Sequence, residues 1–340
     1  VAGLRFETEP DRGVSMKRKL AAATALVALA GAPSVASAQQ WTLPRTSWGH
    51  PDFEGIWTNA TLTPLQRPAG LGDKAFYTPD EVAEIERQRI AQTNADRELP
   101  PGDVGSYNDI FFERGSSIVG TRRTSLVIDP PDGRIPALTP EAQRKVDART
   151  AYMAQHPADG PADRWLTERC IIFGATVPML PEPYNNNYQI VQTPDHVTIL
   201  VEMNHDARVI PLDGRPHAPG EIEMWKGDSR GRWEGDTLVV ETRNLKFNEQ
   251  SRFGVGYLNG LSDENLRVVE RFTRTGEDTL MYQATIEDPT VFARPWTIEI
   301  PMGRSEGPLF EVACHEGNYG LRFILSGHRA EERAAAEAAQ

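Results

Sequence analysis

From residue 184 onward, short β-rich runs alternate with turn residues at near-regular spacing, and that rhythm leaves few folds open. Residues 188–192 and 197–203 are strand-like and flank Thr193-Pro194-Asp195. Arg208-Val209-Ile210 leads into an Asp213-Gly214 turn. Residues 231–242 read as a hairpin with Glu234-Gly235-Asp236 at its tip, since glycine supplies the backbone conformations that tight hairpin turns demand. A further pair, 266–273 and 279–287, surrounds Thr275-Gly276-Glu277-Asp278, and 296–300 follows. Strands joined by tight turns pair antiparallel. The spacing predicts a mainly β fold, an antiparallel β-barrel or sandwich over 165–330.

The preceding region has a different texture. Thr78-Pro79-Asp80-Glu81 reads as a helix start, with a capping hydroxyl, proline at the first helical position and acids in the first turn. That helix is expected to reach about residue 95. Thr139-Pro140-Glu141 repeats the signal, with a helix to about 156. Residues 124–129 predict a short buried strand ahead of the Pro130-Pro131-Asp132-Gly133 turn. Gly55-Ile56-Trp57 is expected to start a first strand, with Trp57 closing one end of a barrel. An ordinary turn and strand is the plainer alternative. The expected organisation is a leader over 1–38, an irregular and helical region over 39–164 packed on the barrel, the β domain over 165–330, and an Ala/Glu tail over 331–340, helical if anything.

Met16 to Ala38 carries the three parts of an export signal: Lys17-Arg18-Lys19, an apolar run from Leu20 to Ala30, and the small-residue cleavage site Ala36-Ser37-Ala38. Translation is expected to begin at Met16 and the mature chain at Gln39. The apolar run is too short to anchor in a bilayer, and the expected location is periplasmic or secreted. The only cysteines, Cys170 and Cys314, are expected to form one disulfide in an oxidising compartment. The alternative is a reactive thiol at Cys314 beside His315. With 39% hydrophobic and 25% charged residues the composition is globular. A net charge of -12 argues against nucleic acid, whose binders present a basic face.

Several segments together resemble a family of uncharacterised secreted bacterial proteins. They are HPDFEGIW (50–57), RTSLVIDPPDGRIPALTPEAQ (123–143), YNNNYQIVQTPDHVTILVEMNHDARVIPLDGRPH (184–217), WKGDSRGRWEGDTLVVET (225–242) and ACHEGNYGL (313–321). The resemblance spans most of the chain after the leader and implies secretion, but no established activity. The second half is also similar to lipocalin-type barrels, which implies a fold and no chemistry.

Four polar clusters are candidate sites. In the first, His205 is a candidate general base beside Asp206, with Arg208 for an anionic group. Strand alternation places Glu202, Asn204 and Asp206 on one face. The second adds His217 after the Asp213-Gly214 turn. A divalent metal held by His205, His217 and His315, with Glu202 or Asp206, is possible, although no sharp metal motif occurs and no cofactor is required. The third is Cys314-His315-Glu316-Gly317-Asn318-Tyr319, which offers His315 and Tyr319 as acid–base groups and Asn318 for substrate. In the fourth, Tyr184, Asn185 and Asn186 suit a hydroxylated or carbohydrate-like ligand. Each segment reads equally as a turn or a salt-bridged loop. Trp225, Trp233 and Trp296 are either cavity-lining or core.

Three functional classes follow. One is an exported lyase or hydrolase acting on a small or oligomeric polar or aromatic substrate through His205, Asp206, Arg208, His315 and Tyr319. The second is a non-catalytic lipocalin-like binder of a small molecule or oligosaccharide. The third is a structural or partner-binding envelope protein. No membrane span is expected, and the sequence leaves oligomeric state open.

Overall fold

The computed structural model describes residues 41–93, 115–172, 177–246 and 265–339. The export signal expected over 16–38 lies outside them. Trp41–Gln340 forms one compact unit.

The core is an antiparallel sheet that curls almost into a closed barrel. Its strands are β1 (Gly55–Thr58), β2 (Val127–Asp129), β3 (Asn187–Gln192), β4 (His196–Val201), β5 (Ala207–Pro211), β6 (Asp228–Glu234), β7 (Thr237–Arg243), β8 (Arg267–Arg274), β9 (Thr279–Glu287) and β10 (Trp296–Arg304). Nine of them follow the path β5-β4-β3-β1-β10-β9-β8-β7-β6, and β2 pairs with β10 off that path. The mainly β expectation is correct. The hairpin tip at Gly235-Asp236 is where it was expected, with Glu234 opposite Thr237.

The region before 165 is more than a covering. β1 inserts between β3 and β10, with Trp57 opposite both Tyr188 and Arg304. β2 takes the other end of the same β10 edge, at Thr297 and Ile298. The two terminal strands, β5 and β6, face each other across a seam. A Cβ at Gly231 would come within 2.8 Å of the Ile210 side chain and closer still to Leu212. Only a residue without a side chain lets the edges approach this far.

Alternate residues of β8, β9 and β10 are buried, and these inward positions fill the lumen. Trp57, Tyr188, Phe272, Tyr282, Trp296 and Met302 belong to one continuous core. An eight- or nine-stranded barrel is narrow enough for side chains to fill it. Trp57 is fully buried. Its indole N–H donates to the Phe53 carbonyl at 2.8 Å, and the guanidinium carbons of Arg274 and Arg304 lie 5.5 Å from its ring centre. Cation–π contacts of this kind hold the buried indole against both guanidinium groups.

Both predicted helices form. α1 spans Pro79–Thr93. Thr78 Oγ1 accepts from the Glu81 N–H at 3.3 Å while Glu81 Oε2 accepts from the Thr78 N–H at 2.8 Å, a reciprocal capping box. α2 spans Pro140–Gln155, capped by Thr139 accepting from the Ala142 N–H at 3.2 Å. The third helix is longer than expected. α3 spans Gly320–Ala338 and buries none of its residues. Among the described residues no helix is long and apolar enough to cross a membrane.

The disulfide forms. Cys170 and Cys314 are bonded with their Cα atoms 5.7 Å apart, and no cysteine is free. A nucleophilic Cys314 is thereby excluded.

Candidate functional site

The structure disperses the acid–base set expected around His205. His205 ends a short 3-10 turn, Met203–His205, with φ 52°, and its side chain is exposed. Asp206 accepts from Lys226 Nζ at 2.7 Å on the outside. Arg208 points the other way, into the barrel, because its strand has a buried face and the side chain falls on it. Glu202 is buried as well. One of its oxygens accepts from Asn187 Nδ2 at 2.7 Å and the other from the Phe310 N–H at 3.0 Å. It ties the C-terminal segment to the barrel.

His217 sits among charges of its own. Its Nδ1 is 2.9 Å from Asp228 Oδ2 and its Nε2 is 3.5 Å from Glu241 Oε1. Arg267 and Arg243 hydrogen-bond to the Glu241 carboxylate, and Arg267 above all depresses its pKa to about 2. His315 and Tyr319 are exposed, the latter by 60%. Asn318 Nδ2 donates to the Glu168 carbonyl at 3.3 Å, which fastens its segment beside the disulfide. Among the described residues, no metal-competent group of three contains His205, His217 or His315. The three histidines do not share a centre.

In the Tyr184–Asn186 segment, Asn186 binds the backbone of its own loop. Its Oδ1 accepts from the Glu182 N–H at 2.7 Å and its Nδ2 donates to the Glu182 carbonyl at 2.9 Å. Asn185 takes φ 56°, a left-handed conformation that asparagine tolerates, at the bend of this loop. Glu182 lies between Pro181 and Pro183, whose rings fix φ. Its backbone is therefore locked on both sides, and the loop's polar residues serve to place one carboxyl group.

Glu182 is one of the residues lining a cavity of about 480 Å³, with Leu62, Leu65, Leu126, Leu180 and Arg89 also in its wall. Part of the wall is built from the segment after β1, residues 61–65. Leu62 N–H donates to the Ser117 carbonyl at 2.8 Å, and Thr63 Oγ1 accepts from the Val119 N–H at 3.0 Å. Leu126 N–H donates to the Pro64 carbonyl at 2.9 Å. The threonine hydroxyls thus serve the wall's own backbone. Glu182 is 7% exposed, and its Oε1 is buried without a hydrogen-bond partner. Burial pushes its pKa up to about 7. Burial, and then Glu182, also raises the Tyr184 phenol.

A second polar group is closed to solvent. Arg208 grips Glu270 with both terminal nitrogens, at 2.6 and 3.1 Å. Tyr282 OH donates to Glu270 Oε1 at 2.9 Å and accepts from the Met179 N–H at 2.8 Å. The Met179 carbonyl accepts from Asn59 Nδ2 at 3.2 Å, and the same Nδ2 lies 3.1 Å from Tyr188 OH. Burial holds both tyrosines protonated well beyond neutral pH. Glu270 is 0% exposed, so this group braces the lumen and does not meet solvent.

Of the two readings of the tryptophans, core holds for Trp296, and Trp233 packs against that core. Trp296 packs edge-on against Phe292 in the core, and Trp233 stacks on His50 with ring centres 4.8 Å apart. Lys246 Nζ sits 5.4 Å from the ring centre of Trp225.

No protein-family model matches the chain, and no curated protein matches it. A solved structure, that of a secretary abundant heat soluble protein from Ramazzottius varieornatus, is similar over 35% of this chain and 70% of that one. The identity is 10% and the TM-score 0.22.

Proposed function

We propose that this chain is an exported, non-catalytic binding protein whose ligand is a small, largely apolar molecule carrying one amine or hydroxyl group. The carrying observation is Glu182, which is among the residues lining a mostly apolar cavity and whose buried Oε1 has no hydrogen-bond partner. A buried acceptor left unmatched costs about 1–3 kcal/mol. A ligand donor recovers that cost, and an amine adds charge. Sites of this kind combine apolar walls with few, well-placed polar groups. The ligand sits beside the barrel and not in its lumen, since the lumen is filled by core side chains. Export rests on the basic, apolar and small-residue parts of 16–38 together with the disulfide.

Acid–base catalysis is a weaker reading. His205, Asp206, Arg208, His315 and Tyr319 lie in different environments, and Arg208 is consumed by Glu270. An oligosaccharide is weaker too, because Asn186 is spent on its own loop.

Calorimetric titration of the full chain with octylamine, octanol and octanoate at pH 8 tests the reading. The expected order is octylamine, octanol, octanoate. Glu182→Gln is expected to weaken octylamine by roughly 10–100-fold, the value of one charged hydrogen bond. Tightest binding of octanoate would assign recognition to Arg89 and overturn the role of Glu182.

A further inference from the structure

α3 is a long helix with no buried residue, so apolar burial contributes little to its docking. What meets it is the turn that follows α2, and that meeting point is rich in metal-ligating groups. Asp159, His328 and Glu332 each present a ligand atom, all within 4.8 Å of one another. His328 and Glu332 are four residues apart on α3 and so share a face. His328 Nε2 lies 3.7 Å from Asp159 Oδ1 and 3.4 Å from Glu332 Oε1. Donors around a tetrahedral zinc, each at about 2.1 Å, are roughly 3.4 Å apart. The spacing therefore needs little change to close on an ion.

The remaining valences are already arranged around those three atoms. Asp159 gives its other oxygen, Oδ2, to His156 Nδ1 at 2.6 Å. Glu332 Oε2 forms an ion pair at 3.0 Å with Arg329 Nε, without hydrogen-bond geometry. Each carboxylate thus keeps one oxygen on a protein partner and turns the other toward His328. The turn is itself rigid. The His156 ring stacks on Tyr152 with centres 4.4 Å apart, and Tyr152 OH donates to Asp163 Oδ1 at 3.1 Å. Arg329 also donates to the Ala158 carbonyl at 2.9 Å, which holds the two segments in register. Outer partners of this kind orient the ligands of a metal.

We propose that Asp159, His328 and Glu332 bind one zinc ion, with His156 orienting Asp159, and that the ion clamps α3 onto the turn after α2. An imidazole with two carboxylates is a borderline-soft donor set that suits zinc better than calcium, which takes oxygen ligands. Water completes the tetrahedron. Zinc takes the neutral imidazole as ligand.

The test is calorimetric titration of the tag-free full chain with zinc chloride, and separately calcium chloride, at pH 7.5, with hydrogen exchange over 320–338 as a second readout. The expected result is one equivalent of zinc, a calcium affinity at least tenfold weaker, and slower exchange over α3 when zinc is present. Asp159→Asn, which preserves shape, and His328→Ala are each expected to abolish stoichiometric binding. His156→Ala is expected to weaken it by about 10–100-fold, the usual cost of losing an orienting partner. His205→Ala and His315→Ala are expected to leave it unchanged. Absence of stoichiometric zinc binding, equal binding of calcium, or zinc retained by Asp159→Asn and His328→Ala would overturn the proposal.

Discussion

Glu270 and Glu182 are both buried carboxyl groups, and the chain treats them in opposite ways. Glu270, in the lumen, meets both terminal nitrogens of Arg208 and the Tyr282 hydroxyl. Glu182, at the flanking cavity, meets none of these, and its Oε1 has no partner. The first is a charge met by an opposite charge and a hydroxyl, although Arg208 Nε and Asn59 Oδ1 in the same group have no partner. The second keeps an unused acceptor in low dielectric, where a proton or a ligand must supply what the protein does not. A matched buried charge is architecture. An unmatched one beside a cavity is what the binding proposal rests on.

The contrast breaks most visibly in stability. Arg208→Ala strands the Glu270 charge in the lumen and is expected to cost about 3–5 kcal/mol, read from urea unfolding. Replacing both partners, as Arg208→Met with Glu270→Leu, is expected to be close to neutral, since no charge is left alone. A mild effect of Arg208→Ala would mean that the lumen pair is not the brace described.

Glu182→Gln sharpens the other side, with a sign that depends on pH. The folded pKa of about 7 lies above the ordinary 4.5. Stability tied to the protonated form is therefore complete below about pH 4.5 and lost as pH rises through 7. Glutamine carries no such loss. The variant is expected to match the parent at pH 4 and to exceed its stability by about 3 kcal/mol at pH 8, as followed by unfolding across pH. A variant less stable than the parent at pH 8 would show that ionised Glu182 is already satisfied in the fold.

The smallest effects are expected at the exposed histidines. His205→Ala and His315→Ala should each change stability by less than about 0.5 kcal/mol and leave octylamine binding unaltered. A large loss of binding in either would draw the site away from Glu182.

What the sequence disclosed, and what it hid, follows the same division. The strands and both helix starts were legible because turn residues and caps act locally. Thr78, Thr139 and the Gly235 turn do in the structure what their positions imply. The disulfide was legible by counting. α3 was anticipated only as an Ala/Glu tail, because Gly320 to His328 carries no cap signal. The site was hidden because it is assembled from distant segments. Arg208 looked like a surface cation beside His205, yet alternation on a short strand sends it inward to Glu270, 62 residues away. The Tyr184–Asn186 loop looked like a binding surface, but its asparagine holds the backbone of Glu182. An acid enclosed by Pro181 and Pro183 was the available signal, since two fixed φ angles around one carboxyl make a rigid mount. Likewise His156 and His328 fall outside every cluster visible in the linear chain and meet only through the packing of α3.

The most direct measurement is a carbon-13 NMR titration of the Glu182 side-chain carboxyl, with and without saturating octylamine. Without ligand, the carboxyl is expected to titrate near pH 7. With the amine bound, its midpoint is expected to fall by at least two pH units, because the ammonium group favours the ionised form. A midpoint near 4.5 in the free protein, or one that octylamine does not move, would contradict the assignment of Glu182 as the binding group.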